Sequence, residues 1–160
     1  MNIIVDTREK PRAIKKIIQT FHTYTVTYKK QKLDVGDYML EGNDKLSIDR
    51  KQNLLELVSN VLEPRFEREL IRAKKSGIEL LFLCEHGNNI YCLEDVKKWE
   101  NPRLKESKYC ISGKRLYVVL RRLELKYGVK FMFCNKNETG KKIIDILGGV
   151  LSGETVKGKS

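Results

Sequence analysis

The sequence predicts an α/β domain of three layers, with a central mixed β-sheet flanked by helices. Three observations carry that expectation. Short apolar runs rich in Val, Ile, Leu and Phe alternate with segments of helical period. A Gly-Asn-Asp cluster at 42–44 joins two of these runs as a hairpin, so part of the sheet must be antiparallel. At 160 residues the chain is sized for one core.

The elements follow in order. "NIIVD" (2–6) is an apolar run ending in a polar turn, which reads as a buried strand. Pro11 suits the first turn of a helix through "PRAIKKIIQTF", with Ala13, Ile14, Ile17, Ile18 and Phe21 on one face. "TYTVTY" (23–28) alternates β-branched and aromatic residues and predicts a strand. "DYML" (37–40) and "KLSIDRK" (45–51) form the hairpin around "EGND". "NLLELVSNVL" (53–62) has the helical period, and Pro64 breaks it and opens a second helix that stops at Gly77. "IELLFLCE" (78–85) is the longest β-type run and is expected to be the central strand.

Residues 86–110 are polar and irregular, with a short helix expected through "LEDVKKW". "SGKRLYVVLRRLELKYG" (112–128) is amphipathic, with Ser112 as cap and Gly128 as stop. "VKFMFC" (129–134) is a further strand and "NETGKKIIDIL" (137–147) a closing helix. Residues 1–150 are therefore expected to form the domain and 151–160 a flexible C-terminal tail.

Thirty-two Lys and Arg against 21 Asp and Glu give a formal charge of +11, spread along the chain. Such an excess points to a polyanionic partner. The four cysteines, at 84, 92, 110 and 134, form no C-x-x-C pair, and His22 and His86 lack zinc-finger spacing. Reduced thiols in a cytoplasmic protein are expected. The charged start "MNIIVDTREK" does not read as a signal peptide, and no apolar run approaches the length of a membrane span.

The hairpin carries the chemistry. Residues two apart in a strand share a face, so Asp49 and Lys51 project together and Arg50 points the other way. Asp37 begins the partner strand, where pairing brings its carboxylate near Asp49. Buried charge needs compensation. Two carboxylates with open water positions suit Mg²⁺ or Mn²⁺, and a neighbouring ammonium can orient a water or neutralise a phosphate. An aspartate followed about a dozen residues later by acidic-x-Lys is the pattern of restriction-endonuclease-like nucleases.

The flanking residues make the pattern specific. "IIVDTRE" (3–9), "LDVGDYML" (33–40) and "IDRKQNLLELVSNV" (48–61) together resemble the XPF family of structure-specific endonucleases. The resemblance continues through "RFERELIRAKKSGIELLFLCE" (65–85) and "GVKFMFCNKNETGKKIIDIL" (128–147). It implies a restriction-endonuclease-like fold and a metal-dependent endonuclease that hydrolyses phosphodiesters in flap, fork or junction DNA, in repair or recombination. It makes Asp37 and Asp49 the metal ligands and Lys51 the catalytic lysine. It matches Asp6, Arg8 and Glu9 to an upstream Asp-x-Arg-Glu element of supporting residues, with Asp6 at a strand end where it could support the metal. It makes Arg50 the motif arginine, pointing into supporting contacts or toward a phosphate. Two departures stand out. Asp49 replaces the family's Glu, one methylene longer. The motif's last Asp falls on Leu55, and Glu56 is expected to take that role.

Each residue also has a plainer reading. Asp6 could simply cap the turn after the first strand, and Arg8 and Glu9 could pair only with each other. Arg8, Arg50, Arg65 and Arg68 are the candidate DNA contacts, though Arg65, Arg68 and Arg72 with Glu67 also fit a solvated helix face. Glu85, at a strand's C-terminal end, fits ligand contact or solvent equally. Trp99 and Tyr109 lie in a basic irregular stretch and could stack on unpaired bases, with core packing favoured for Trp99. The XPF family usually adds a helix-hairpin-helix module, for which 160 residues are expected to leave no room. The expectation is therefore a stand-alone nuclease, or one that borrows DNA-binding surface from a partner or a second copy. A homodimer through the apolar faces of 116–125 and 143–151 is also implied. The rival reading is a non-catalytic DNA-binding or scaffold subunit of a nuclease complex.

Overall fold

A computed structural model describes residues 1–149; the expected tail at 151–160 lies outside the described residues. The strands are β1 (Asn2–Val5), β2 (Thr27–Lys30), β3 (Tyr38–Leu40), β4 (Asn43–Lys51), β5 (Glu79–Cys84) and β6 (Lys130–Phe133). The helices are α1 (Lys15–Thr23), α2 (Leu54–Val61), α3 (Pro64–Lys75), α4 (Gly113–Tyr127) and α5 (Thr139–Leu147). Short 3₁₀ turns occupy Leu93–Lys98, Pro102–Lys105 and Lys136–Glu138.

The six strands form one mixed sheet in the order β2-β1-β3-β4-β5-β6. β3 runs antiparallel to both β1 and β4, while β5 is parallel to β4 and β6. Side chains of β5 alternate between two cores, because consecutive residues point to opposite faces. Leu80, Phe82 and Cys84 face α2, α3 and α4, with Leu57, Leu70 and Leu116 fully buried there. Leu81 and Leu83 face α1 and α5, against Ile17, Phe21, Ile143 and Ile146. Two helix layers thus enclose the sheet, as the alternation of runs predicts.

Several boundaries differ from the sequence reading. The residues after Pro11 make a turn, with Ala13 and Ile14 donating back to the Lys10 carbonyl, and α1 begins only at Lys15. That helix runs through Thr23, and Thr25 takes a left-handed conformation. Strand β2 therefore starts four residues later than expected, as an exposed edge paired on one side. β5 lies inside the sheet but is not its centre; the β3–β4 hairpin is. The late helices also divide. α5 spends Ile143, Ile146 and Leu147 on the core, whereas α4 leaves Val118 and Leu125 exposed. Of the two expected dimer faces, the one on α4 leaves apolar side chains exposed, while the described part of the other, 143–149, turns Ile143, Ile146 and Leu147 inward. Among the described residues, no helix is long and apolar enough to cross a membrane.

Candidate active site

The hairpin register fixes where the charges go. Tyr38 pairs with Ile48, and the Asp37 amide donates to the Ile48 carbonyl at 2.7 Å. One Asp37 carboxylate oxygen accepts the Arg50 amide at 2.8 Å, which holds the side chain across the hairpin. The glycine before it is required by packing. Gly36 has φ of +75°, and a Cβ there would lie 2.1 Å from the Ser47 hydroxyl, itself bonded to the Val35 carbonyl.

Asp49 and Lys51 project to the α2–α3 side of the sheet, as their spacing requires. Lys51 Nζ sits 3.0 Å from Asp49 Oδ1 and 2.5 Å from Asn60 Oδ1 of α2. The Asn53 side chain caps α2 by accepting the Glu56 amide, and Leu54 and Leu57 face the core. That orientation turns Glu56 and Asn60, four residues apart, toward the hairpin. On α3, Phe66 stacks on Phe82 with ring centroids 5.1 Å apart. One turn later, Glu69 then reaches Asp49.

Asp37, Asp49, Lys51, Glu56, Asn60 and Glu69 line one open pocket of about 490 Å³. Its electrostatics run against the molecule's. The chain carries an excess of 11 positive charges, yet the pocket lining holds seven acidic and six basic side chains. Burial, then the nearby Asp49 and Glu9 charges, push the Asp37 carboxyl up to about 8. Burial also raises Asp49, with Lys51 opposing, and burial plus Asp49 raise Glu69. Lys51 is held charged: burial alone would lower it, and the carboxylates around it outweigh that. A cluster of carboxylates that resist ionising together lacks positive charge.

On the opposite face of β4, Arg50 is only 7% exposed. It donates to Glu9 at 2.7 and 3.1 Å and pairs with Glu85, whose other oxygen accepts the Thr139 hydroxyl at 2.7 Å. Of its two readings, Arg50 takes the supporting one, with its guanidinium held by Glu9 and Glu85. Two expectations change: Glu9 pairs with Arg50 and not with Arg8, and Glu85 is committed to Arg50 and Thr139 instead of solvent or a ligand. Asp6, fully buried, accepts the Leu33 and Arg8 amides and the Arg8 guanidinium at 2.6 Å. It locks the turn leading to Gly36, and burial is outweighed by those donors, which lower its pKa.

An ERCC4 domain matches residues 5–146. The chain belongs to the ERCC4 domain family. Among solved structures it is similar to XPF from Aeropyrum pernix, at 17% identity and a TM-score of 0.65, covering 99% of this chain and 70% of that one. It is also similar to XPF from Aeropyrum pernix in complex with DNA, at 16% identity and a TM-score of 0.66, over 92% of this chain and 63% of that one. No curated protein sequence matches it. The α/β fold is thus that of the XPF structures, and this chain spans less than two thirds of the DNA-bound one.

In this ERCC4 domain, the remaining sequence candidates separate. Glu56 faces the pocket, while Leu55, at the motif position, turns to the other side of α2. Arg8 and Arg65 stand on the pocket lining, although Arg65 pairs with Glu63; Arg68 is exposed on α3 outside it. Trp99 packs against the core, edge-on to His86, whose Nδ1 accepts the Leu54 amide at the start of α2. Glu69 and Asn60 were not singled out from sequence, nor was Lys10 of the lining, and Arg72, read as part of a solvated helix face, stands on the lining too. The only available signal was helical phase: Glu69 falls one turn after Phe66, and Asn60 one turn after Glu56.

Proposed function

We propose that this domain is a metal-dependent endonuclease that hydrolyses phosphodiesters in structured DNA, in repair or recombination. The observation that carries the reading is the convergence of Asp37, Asp49 and Lys51 on one acid-rich pocket of an otherwise basic molecule. The donor set fits Mg²⁺ or Mn²⁺, which favour oxygen ligands and keep several waters. Among the described residues no group of three or more His, Cys, Asp or Glu side chains is arranged to hold a metal ion, so the protein ligands proposed are a pair. A pair, Asp37 and Asp49, with substrate and water completing the shell, suits Mg²⁺ better than a cage does. When bound, the ion supplies a more acidic water and stabilises charge on the phosphoryl oxygens.

The chain's own residues supply the rest. Asp37 is positioned by the Arg50 amide and by Gly36, and a bound cation would offset the burial and neighbouring charges that raise its carboxyl. Lys51, anchored by Asn60, offers an ammonium beside Asp49 for the scissile phosphate or for orienting water. Glu56 lies close enough to lower the cost of holding Lys51 charged. Arg8 and Arg65, with Lys10 and Arg72, give phosphates non-specific contacts at the rim. The matched structure of XPF in complex with DNA supports a DNA substrate. Pairing of two copies through the exposed α4 face, at Val118 and Leu125, belongs to the same proposal.

The test is incubation with flap, splayed-arm, four-way-junction and plain duplex DNA, in Mg²⁺, Mn²⁺ or EDTA. Cleavage is expected with either metal and none in EDTA. Asp37→Ala and Lys51→Ala should each lower it by about 10²–10³-fold while DNA binding persists. Binding without cleavage of any substrate would assign the domain to a scaffold role instead.

A further inference from the structure

We propose that the side of α2 turned away from the catalytic pocket, together with residues 101–115, binds a single-stranded arm of the DNA substrate. The inference rests on the DNA reading above and extends it to a second surface. Leu55 and Val58 of α2, with Leu62 just after it, line an open groove of about 870 Å³. Arg103, Lys108 and Arg115 line its opposite side and are exposed. Tyr109 stands at the same groove with 87% of its surface free, and Lys108 Nζ lies 5.4 Å from its ring centroid.

Charge selects the occupant. Residues 97–115 carry seven basic and two acidic side chains. Ion pairs in this part of the molecule fall on Lys97, Lys98 and Arg121, and none on Arg103, Lys108 or Arg115 among the described residues. Uncommitted cations beside an exposed aromatic ring and an apolar floor match a strand whose phosphates and unpaired bases lie side by side. A duplex offers no free base face for Tyr109.

The platform is built, not loose. Asn101, 4% exposed, donates to the Ile111 carbonyl and accepts the Arg103 amide. A Cβ on Gly113 would lie 2.4 Å from the Trp99 and Val96 carbonyls, so the segment closes tightly onto α4. Position favours the same occupant. Glu56 and Asn60 of α2 face the catalytic pocket, while Leu55 and Val58 face the groove. The two sites are separated by one helix width, about 10–12 Å. A strand leaving the cleavage site can reach the groove by crossing a single helix.

The experiment is fluorescence anisotropy in EDTA, with the full chain, a labelled oligodeoxythymidylate of about fifteen nucleotides, and a blunt duplex of equal length. Tyr109→Ala should weaken single-strand binding about 5- to 100-fold and leave duplex binding unchanged, while Tyr109→Phe keeps both. Replacing Arg103, Lys108 and Arg115 together by Ala should reduce the log–log salt slope for the single strand by about two. Wild-type affinity and slope in these variants would overturn the proposal. So would a triple variant that loses self-association instead, which would give the face to a second copy, or one that loses only an acidic peptide probe. Because binding in EDTA is read apart from cleavage, a failed groove leaves the catalytic reading standing, and failed cleavage leaves this one testable.

Discussion

Arg50 and Asp37 sit one on each face of the same hairpin, and their surroundings set opposite demands. Arg50 is compensated twice over, by Glu9 and Glu85. Removing it leaves two buried carboxylates unpaired, so Arg50→Ala should cost about 3–5 kcal/mol in a denaturant titration. A loss below about 1 kcal/mol, the range of surface pairs, would show that the strut is solvated. Asp37 has the reverse problem, since folding raises its carboxyl from 3.8 to about 8. The folded state therefore holds a proton that the unfolded chain releases. That stabilisation is complete below about pH 4 and is lost as pH rises through about 8. In EDTA, Asp37→Asn should unfold at a higher temperature than wild type at pH 9, with the difference shrinking toward pH 4. A difference independent of pH would contradict the assignment. Asp37, Asp49 and Lys51 were legible in the sequence because period-two alternation and a hairpin suffice to bring them together. Glu69 and Asn60 were not, because their arrival depends on how α3 and α2 dock, and Phe66 against Phe82 decides that only in three dimensions.

At the scale of elements, α2 is the piece on which both proposed surfaces depend. Its eight residues are too few to be stable alone, and its start is held by the Asn53 side chain and by His86 Nδ1. Asn53→Ala should lower stability by about 1 kcal/mol. It should also reduce cleavage more than that loss of folded protein explains, because Asn60 and Lys51 lose their register. Normal activity per folded molecule would show that the docking of α2 on the sheet, and not its cap, places Asn60. The helix itself was readable from Leu54, Leu57, Val58 and Val61, with Pro64 as its limit. β2 was not placed correctly, because β-branched residues at 23–26 favour a strand locally. The preceding helix and the left-handed turn at Thr25 override that preference.

For the whole molecule, alternation of strand and helix was enough to give three layers, and the turn signal gave the antiparallel pair, although Asn43 and Asp44 join β4 and the turn itself is Glu41-Gly42. Strand order was beyond reach. Nothing local says that β1 inserts beside β3 or that β5 stands off-centre, since those neighbours are chosen by which faces the helices cover. Exposed Val118 and Leu125 on α4 predict self-association: sedimentation at micromolar protein should show a species twice the 18.7 kDa of one chain. Leu125→Glu should restore the monomer. A single 18.7 kDa species for the wild type would remove the paired assembly.

The most direct test is Mn²⁺ uptake followed by the loss of its free paramagnetic signal, at pH 8 and without nucleic acid. Wild type should take up the ion at a site that Asp37→Asn and Asp49→Asn each abolish, with all three proteins folded. Equal uptake by the wild type and both variants would show that the hairpin carboxylates hold no cation.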